Sequence, residues 1–307
     1  MRNEEPGIIL ISYSSSERMG GEATRAFNYF RHLTKAGFRV IQITHAQSRC
    51  DHREFDTDSI VYVENPLITS SMYHSYTLRH LLYVDFNIRA VFLARKMKRV
   101  LEREGRKVLV HFHSIVSPVT PYWLVPDVPN VIGPSNGNIY FPENLREYES
   151  RSEQFRGTFH KAAKKALKYL WLNQKAKADV ILVAGGDRTR ESLLLEGCRE
   201  GQFVEAYDNF VSDELFDLPR VKHTAENLHF VYFGRLVFSK GIGFLIESLT
   251  RTRDEVRVDI IGDGPEKDRL VEHARNLGVE DRVRFLDWID HGCGSAMADL
   301  AARFRWK

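Results

Sequence analysis

The sequence predicts an α/β protein built from two doubly wound parallel sheets, the second of them incomplete. Short apolar runs alternate with longer amphipathic stretches along most of its 307 residues, which is the pattern of parallel strands joined by helical crossovers. A polar segment at 208–227, which contains Pro219, interrupts this alternation, and a second alternation follows it. We therefore predict one domain over residues 1–218 and a shorter one over 219–307.

Seven strands are expected in the first domain. The run GIILISY has the length and β-branched content of a buried strand, and the stretch that follows has the 3.6-residue period of a helix that ends at Gly37. The predicted strands are 7–13, 39–44, 59–63, 108–113, 129–133, 179–184 and 202–207; the predicted helices are 20–37, 78–104, 155–177 and 187–196.

Only three strands are expected in the second domain. They are 228–233, 256–262 and 282–288, with helices predicted at 240–250 and 265–277. Sheets usually have about five or six strands, so this domain reads as the beginning of a larger one.

Composition excludes several classes of protein. The net charge of +3 is too small to indicate nucleic-acid binding. Cys50, Cys198 and Cys293 are far apart, which fits a reducing compartment and argues against a disulfide framework or a zinc site. No run of about 18 apolar residues is present, and the apolar run at 8–13 lacks the basic flank of a signal peptide. The sequence thus predicts a cytoplasmic protein.

The stretch VYFGRLVFSKGIGFLIESL, at 231–249, combines two glycines with two cations where a strand gives way to a helix. Ligands bind at the carboxyl ends of parallel strands, and Gly234 allows the backbone to turn there. Arg235 offers a planar fork of donors for two phosphate oxygens, and Lys240 adds a point charge. Gly241 lets the helix begin beside an anion. Either dipeptide alone could be a plain turn, but together they indicate a diphosphate site.

This stretch, together with VRVDIIGDGPEKDRLVEHARNLGVEDRVRFLDWI, resembles the donor domain of glycosyltransferase family 4, a retaining family with the GT-B fold of two Rossmann-like domains. The resemblance is specific over roughly 228–289. It extends more loosely through MGGEATRAFNYFRHLTKAGFRVIQIT, VLVHFHS, NVIGPSNGNIYFP and ADVILVAGGDRTRESLLLEGC in the first domain. It is weakest at 45–105 and after residue 290.

The resemblance implies transfer of a sugar from a nucleoside diphosphate sugar with retention of the anomeric configuration. Arg235 and Lys240 match the pair that neutralises the leaving diphosphate, so no metal or other cofactor is expected. Gly20 and Gly21 match the loop whose amides approach the donor from the first domain.

Three more positions in the first domain match the family's cleft. His113 matches a histidine near the transferred sugar, and Asn136 and Gly137 match residues that line the same cleft. Each has a structural alternative, since His113 could be a core histidine and Gly20–Gly21 and Asn136–Gly137 could be simple turns. We expect His111 and His113 to face opposite sides of their strand, with His111 the more structural of the two.

A diagnostic element of the family, Glu-x7-Glu in a glycine-bearing loop, is missing. The bare spacing occurs at Glu247–Glu255 and Glu272–Glu280, but both pairs fall where a helix gives way to a strand, so we read them as chance. We expect the true element to lie beyond residue 307 and the chain to be truncated in its donor domain. A non-catalytic remnant or binding module is therefore an open alternative.

Other enzyme classes fit the residues less well. A metal-dependent glycosyltransferase would need Asp-x-Asp at a strand end, whereas Asp56-Thr57-Asp58 precedes its strand. A nicotinamide enzyme would need a third glycine where GDGPEK has Lys267. An epimerase acting on nucleotide sugars remains a minor alternative.

A basic, aromatic-bearing segment constrains the acceptor. Between 154 and 178 the sequence has seven Lys or Arg residues and, before Asp179, no acidic one. Such a segment can lie on an anionic membrane surface, and the alternative is a solvated helix face over a core stripe. The membrane reading suits a saccharide or lipid-linked acceptor, as in surface polysaccharide synthesis, and a cytoplasmic enzyme with peripheral membrane contact.

Overall fold

The computed structural model describes residues 5–16, 21–51, 57–64, 76–113, 121–136, 173–207 and 228–287. The chain divides into two compact units, Met1–Phe210 and Val211–Lys307, called here the N-terminal and C-terminal units. The predicted linker at 208–227 lies outside the described residues, and so does most of the basic segment at 155–177. The domain boundary at 218/219 stays a prediction.

The elements of the N-terminal unit follow the predicted order. Its strands are β1 (Gly7–Ile11), β2 (Arg39–His45), β3 (Ile60–Val63), β4 (Val108–Phe112), β5 (Asn130–Ser135), β6 (Val180–Val183) and β7 (Phe203–Glu205). Its described α-helices are α1 (Gly21–Lys35), α2 (Tyr76–Arg103) and α3 (Gly186–Leu195). The predicted seven strands are thus all present.

These strands form one parallel sheet in the order β3-β2-β1-β4-β5-β6-β7. The order reverses direction between β1 and β4, and crossovers diverge at such a point. The carboxyl ends of β1 and β4 are joined there, since the backbone N–H of His113 donates to the carbonyl of Ile11 at 2.9 Å. This place in the sheet is where ligand-binding residues are expected.

Alternate residues of β1 enter two different cores. Ile8 and Leu10 pack with Phe30 of α1, whereas Ile9 and Ile11 pack with Phe86 and other residues of α2. Side chains of a strand alternate between the two faces of its sheet, so α1 covers one face and α2 the other. The continuous apolar run of β1 follows from burial on both sides.

The C-terminal unit repeats the alternation on a smaller scale. It contains β8 (His229–Phe233), α4 (Ile242–Leu249), β9 (Arg257–Ile261), α5 (Lys267–Asn276) and β10 (Val283–Leu286). The strands are parallel in the order β10-β9-β8. The three strands predicted for this unit are all present among the described residues. One core joins α4 and α5 to the sheet, around Ile246, Ile260 and Leu270.

A buried carboxylate links two strands of this small sheet through an ion pair. Asp259 of β9 is 2% exposed and forms an ion pair with Arg284 of the neighbouring strand, while the His229 ring lies 3.3 Å away. A buried charge requires a partner of opposite charge, and the ion pair provides one. Within the described ranges, no helix is both long enough and apolar enough to cross a membrane.

Candidate functional site

The loop after β8 holds the predicted diphosphate-binding residues at the carboxyl end of a strand. Leu236 is fully buried and anchors this loop: its N–H donates to the carbonyl of Asp263 at 2.8 Å, and its carbonyl accepts from Glu266 at 3.1 Å. The neighbouring residue, Arg235, points the other way and is exposed. The loop therefore fixes the backbone while leaving the guanidinium available.

Lys240 lies at the end of a short 3-10 turn, Phe238–Lys240, that leads into α4. It is exposed, as Arg235 is. Within the part of the chain that the structure describes, neither side chain makes an ion pair or a hydrogen bond. Two cations without acidic partners at one strand end suit an anionic ligand.

Gly241 forms the junction between this turn and α4. It has the left-handed conformation, φ 67° and ψ 22°, which glycine adopts without strain. Among the described residues no side chain caps the first turn of α4, and its leading N–H groups are directed out of the helix. These N–H groups and the helix dipole add to the positive charge of Arg235 and Lys240.

Two glycines allow the loops after β8 and β9 to touch. A Cβ atom on Gly262 would lie 1.9 Å from the carbonyl oxygen of Gly234, and both residues have positive φ angles, 153° and 149°. A Cβ on Gly264 would lie 2.3 Å from the carbonyl oxygen of Leu236. The glycines of the motif IIGDGP thus allow the loop after β9 to pack closely against the Gly-Arg turn. The sequence alone does not specify this role.

His113, predicted as the last residue of its strand, immediately follows β4 and is completely buried. The prediction that His111 and His113 face opposite sides is wrong. Residues two apart in a strand share a face, and the two ring centroids are 5.7 Å apart. Both rings also lie against Tyr29 of α1, at 5.7 Å and 4.4 Å. The face they share is therefore the one that α1 covers.

The two histidines differ in hydrogen bonding. The Nε2 of His111 donates to the carbonyl oxygen of Gly133 at 2.8 Å, which gives this ring a structural role. Burial lowers the pKa of His111 to about 4, although that hydrogen bond opposes the change. Burial, His111 and Arg25 together hold the pKa of His113 well below its ordinary value. Both imidazoles are consequently neutral near pH 7.

We expect the N-terminal unit to lose stability as the pH falls from about 7 to about 4. A histidine whose pKa is about 4 when folded, against 6.5 for the free side chain, is protonated first in the unfolded chain. The free energy of unfolding therefore falls as the pH drops below the pKa of the unfolded chain, and the loss that His111 causes is about 3 kcal/mol. Urea unfolding followed by circular dichroism measures this loss. His111→Gln can still donate to Gly133 but does not titrate, so its loss should be smaller; equal losses in both proteins would contradict the assignment.

Two of the remaining predicted residues, Gly21 and Asn136, are among the described residues. Gly21 is the first residue of α1 and is exposed, with nothing within 4 Å of the position of a Cβ atom. Asn136 follows β5, and its Oδ1 lies 2.9 Å from the position of a Cβ on Gly185, after β6. Gly20 and Gly137 are outside the described residues. The roles of all eight predicted site residues stay predictions.

Arg25 and Tyr29 were missed by sequence reasoning. Arg25 is 5% exposed, and burial lowers the pKa of its guanidinium. The two residues are four apart on α1 and therefore share a helix face. Their spacing after Gly21 could have indicated a polar stripe on the buried side of α1. Among the described residues, no cluster of His, Cys, Asp or Glu is arranged to hold a metal ion.

Comparison with known proteins finds a family similarity in the C-terminal segment. Residues 216–297 match the family model of Glycosyl transferases group 1. A segment of 61 residues is 39% identical to lipopolysaccharide 1,6-galactosyltransferase of Salmonella typhimurium (strain LT2), and one of 57 residues is 46% identical to the lipopolysaccharide core biosynthesis glycosyltransferase LpsE of Rhizobium meliloti (strain 1021). Each match covers 19% of this chain, and only 17% and 16% of the respective relative.

Solved structures extend the similarity in fold to nearly the whole chain. The apo form of the lipopolysaccharide outer core galactosyltransferase WaaB matches with a TM-score of 0.53 at 16% identity, over 97% of this chain and 71% of that one. A point mutant of S. aureus TarM, in complex with fondaparinux, α-GlcNAc-glycerol and UDP, matches with a TM-score of 0.53 at 9% identity, over 92% and 78%. These matches confirm the predicted fold class, and the family match confirms the resemblance.

Proposed function

Since residues 216–297 match the group 1 glycosyltransferases, we propose that this protein is a retaining glycosyltransferase. It would transfer a sugar from a nucleoside diphosphate sugar to a saccharide or lipid-linked acceptor in the synthesis of a surface polysaccharide. The observation that carries the proposal is the exposed pair Arg235 and Lys240 on the rigid loop after β8, inside the matched segment. The UDP bound by the TarM structure supports a uridine donor.

The chemistry that these residues supply is stabilisation of the leaving group. Departure of the sugar leaves negative charge on the diphosphate, and fixed positive groups stabilise the transition state as that charge develops. Arg235 would bind two phosphate oxygens at once, Lys240 would act as a point charge, and the first N–H groups of α4 would complete the site. Under this proposal the reaction needs no metal ion. Retention would require the acceptor hydroxyl to enter on the face from which the diphosphate leaves.

In this proposal the predicted site residues of the N-terminal unit bind the substrate. His113, as a neutral imidazole, offers one hydrogen-bond donor and one acceptor, which suits a sugar hydroxyl. Gly21 leaves space for close approach of a ligand to the backbone, and we assign Gly20, Asn136 and Gly137 to substrate binding with it. No side chain is assigned as a nucleophile.

Two further observations support a class of acceptor and a location. Both curated relatives are named as lipopolysaccharide glycosyltransferases, which favours a saccharide acceptor of that class. The basic segment at 154–178 favours an acceptor held at an anionic membrane surface. We therefore propose a cytoplasmic enzyme with peripheral membrane contact and a lipid-linked acceptor.

One observation favours the alternative of a non-catalytic binding module. Two aromatic side chains of β8, Phe230 and Phe233, are 53% and 51% exposed. Strands of parallel sheets are usually covered on both faces, whereas these two side chains are not covered by the residues that the structure describes. A protein of this kind could bind a donor without turning it over.

An assay with the purified chain separates these functions. We expect UDP to bind in calorimetric titration, and we expect a panel of UDP-sugars to release UDP slowly without acceptor and faster with a lipopolysaccharide core acceptor. Binding without release from any donor would favour the binding module. A chain that neither binds UDP nor releases it would overturn the proposed function.

A further inference from the structure

The His113 ring occupies an unusual position for a polar side chain. It is 0% exposed, yet neither Nδ1 nor Nε2 has a hydrogen-bond partner among the described residues. Buried polar atoms are nearly always hydrogen-bonded, and one left without a partner costs free energy. The ring is therefore suited to receive a polar group from a ligand, but no hydrogen bond of its own fixes its orientation.

Two aromatic rings pack against the His113 imidazole. The Tyr29 ring lies 4.4 Å from the His113 ring, centroid to centroid, at an interplanar angle of 58°. The His111 ring lies 5.7 Å away and is itself held by its bond to Gly133. The second side-chain torsion of a histidine is broad, so packing decides where its nitrogens point. Tyr29 is the closer of the two rings.

We propose that Tyr29 is a positioning residue, which holds the His113 imidazole in the orientation that meets a hydroxyl of the transferred sugar. This inference rests on the proposed function. The aromatic ring is the part of Tyr29 that acts, since its hydroxyl makes no hydrogen bond within the described ranges. Burial also raises the pKa of that hydroxyl, so the phenol remains neutral and adds no charge beside the imidazole.

Two substitutions of Tyr29 distinguish the role of its aromatic ring from that of an apolar side chain of similar position. Tyr29→Phe keeps the ring, and Tyr29→Leu removes it while keeping an apolar side chain in the core that Tyr29 shares with Leu33. Leu33→Ala is the matched control, because it weakens the same core one turn along α1 and leaves the aromatic ring of Tyr29 in place. All three variants require the full chain.

We expect Tyr29→Leu to lower kcat about tenfold or more, with little change in the KM for the UDP-sugar, because a displaced catalytic group loses transition-state stabilisation. Tyr29→Phe should retain kcat within about twofold, and Leu33→Ala should lower the unfolding midpoint without this loss of kcat. A Tyr29→Leu protein with the kcat of the wild type would overturn the proposal.

A spectroscopic readout tests the same contact without turnover. The ¹⁵N and ¹H resonances of the His113 ring should shift in Tyr29→Leu and stay in place in Tyr29→Phe and Leu33→Ala. If the wild type shows no turnover, the proposed function fails while the spectra still report on positioning. Unchanged His113 resonances in Tyr29→Leu would overturn the positioning role whatever the activity.

Discussion

Arg235→Ala is expected to abolish measurable UDP binding at ordinary ligand concentrations. The guanidinium is exposed, lies on a loop anchored by the buried Leu236, and has no acidic partner among the residues described in its unit. Two charge-assisted hydrogen bonds to phosphate would be lost together, which amounts to about 3 kcal/mol. The dissociation constant for UDP should therefore rise by about 100-fold or more in calorimetric titration.

Two further variants make this result specific. Arg251→Ala is the matched control, because it removes an exposed arginine in the turn after α4 and leaves the loop intact. UDP affinity should stay near that of the wild type in this control. Arg235→Lys keeps the charge and loses the planar fork, so it should recover only part of the affinity. Equal UDP affinity in the wild type and Arg235→Ala would remove the central claim of the proposed function.

Much of the fold could be predicted from the sequence because hydrophobic periodicity is a local signal. Every predicted strand is present, and strands such as β1 carry unbroken apolar runs that burial on both faces requires. Element ends were less accurate. The last strand of the N-terminal unit covers Phe203–Glu205, shorter than the predicted 202–207, and α4 begins after a 3-10 turn that periodicity does not distinguish from a helix.

The candidate site was predictable only where residues of suitable chemistry are close together in the sequence. Arg235, Lys240 and Gly241 are close in sequence, so one motif describes them. Contacts between residues that are far apart in the sequence form no local motif and could not be predicted in this way. Tyr29 meets His113 across 84 positions, and Asp259 pairs with Arg284 of another strand. The error about His111 and His113 was one of geometry, since the alternation of a strand places them on one face.

Gly262→Ala is expected to have the largest effect on the stability of the C-terminal unit. The new Cβ atom would lie 1.9 Å from the carbonyl oxygen of Gly234, at a backbone angle that side chains rarely adopt. Both the clash and the strain must be relieved by separating the loops after β8 and β9. We expect a loss of about 3 kcal/mol in the free energy of unfolding, measured in urea.

Gly243→Ala supplies the matched comparison, since a Cβ there meets nothing within 4 Å and the residue belongs to α4. An alanine at such a helical position should stabilise by about 0.5 kcal/mol. Separation of the two loops would also move the backbone that carries Arg235, so the fraction of Gly262→Ala that remains folded should bind UDP more weakly than the wild type. A folded Gly262→Ala protein with wild-type affinity would mean that the contact between the loops stabilises the unit but does not position Arg235.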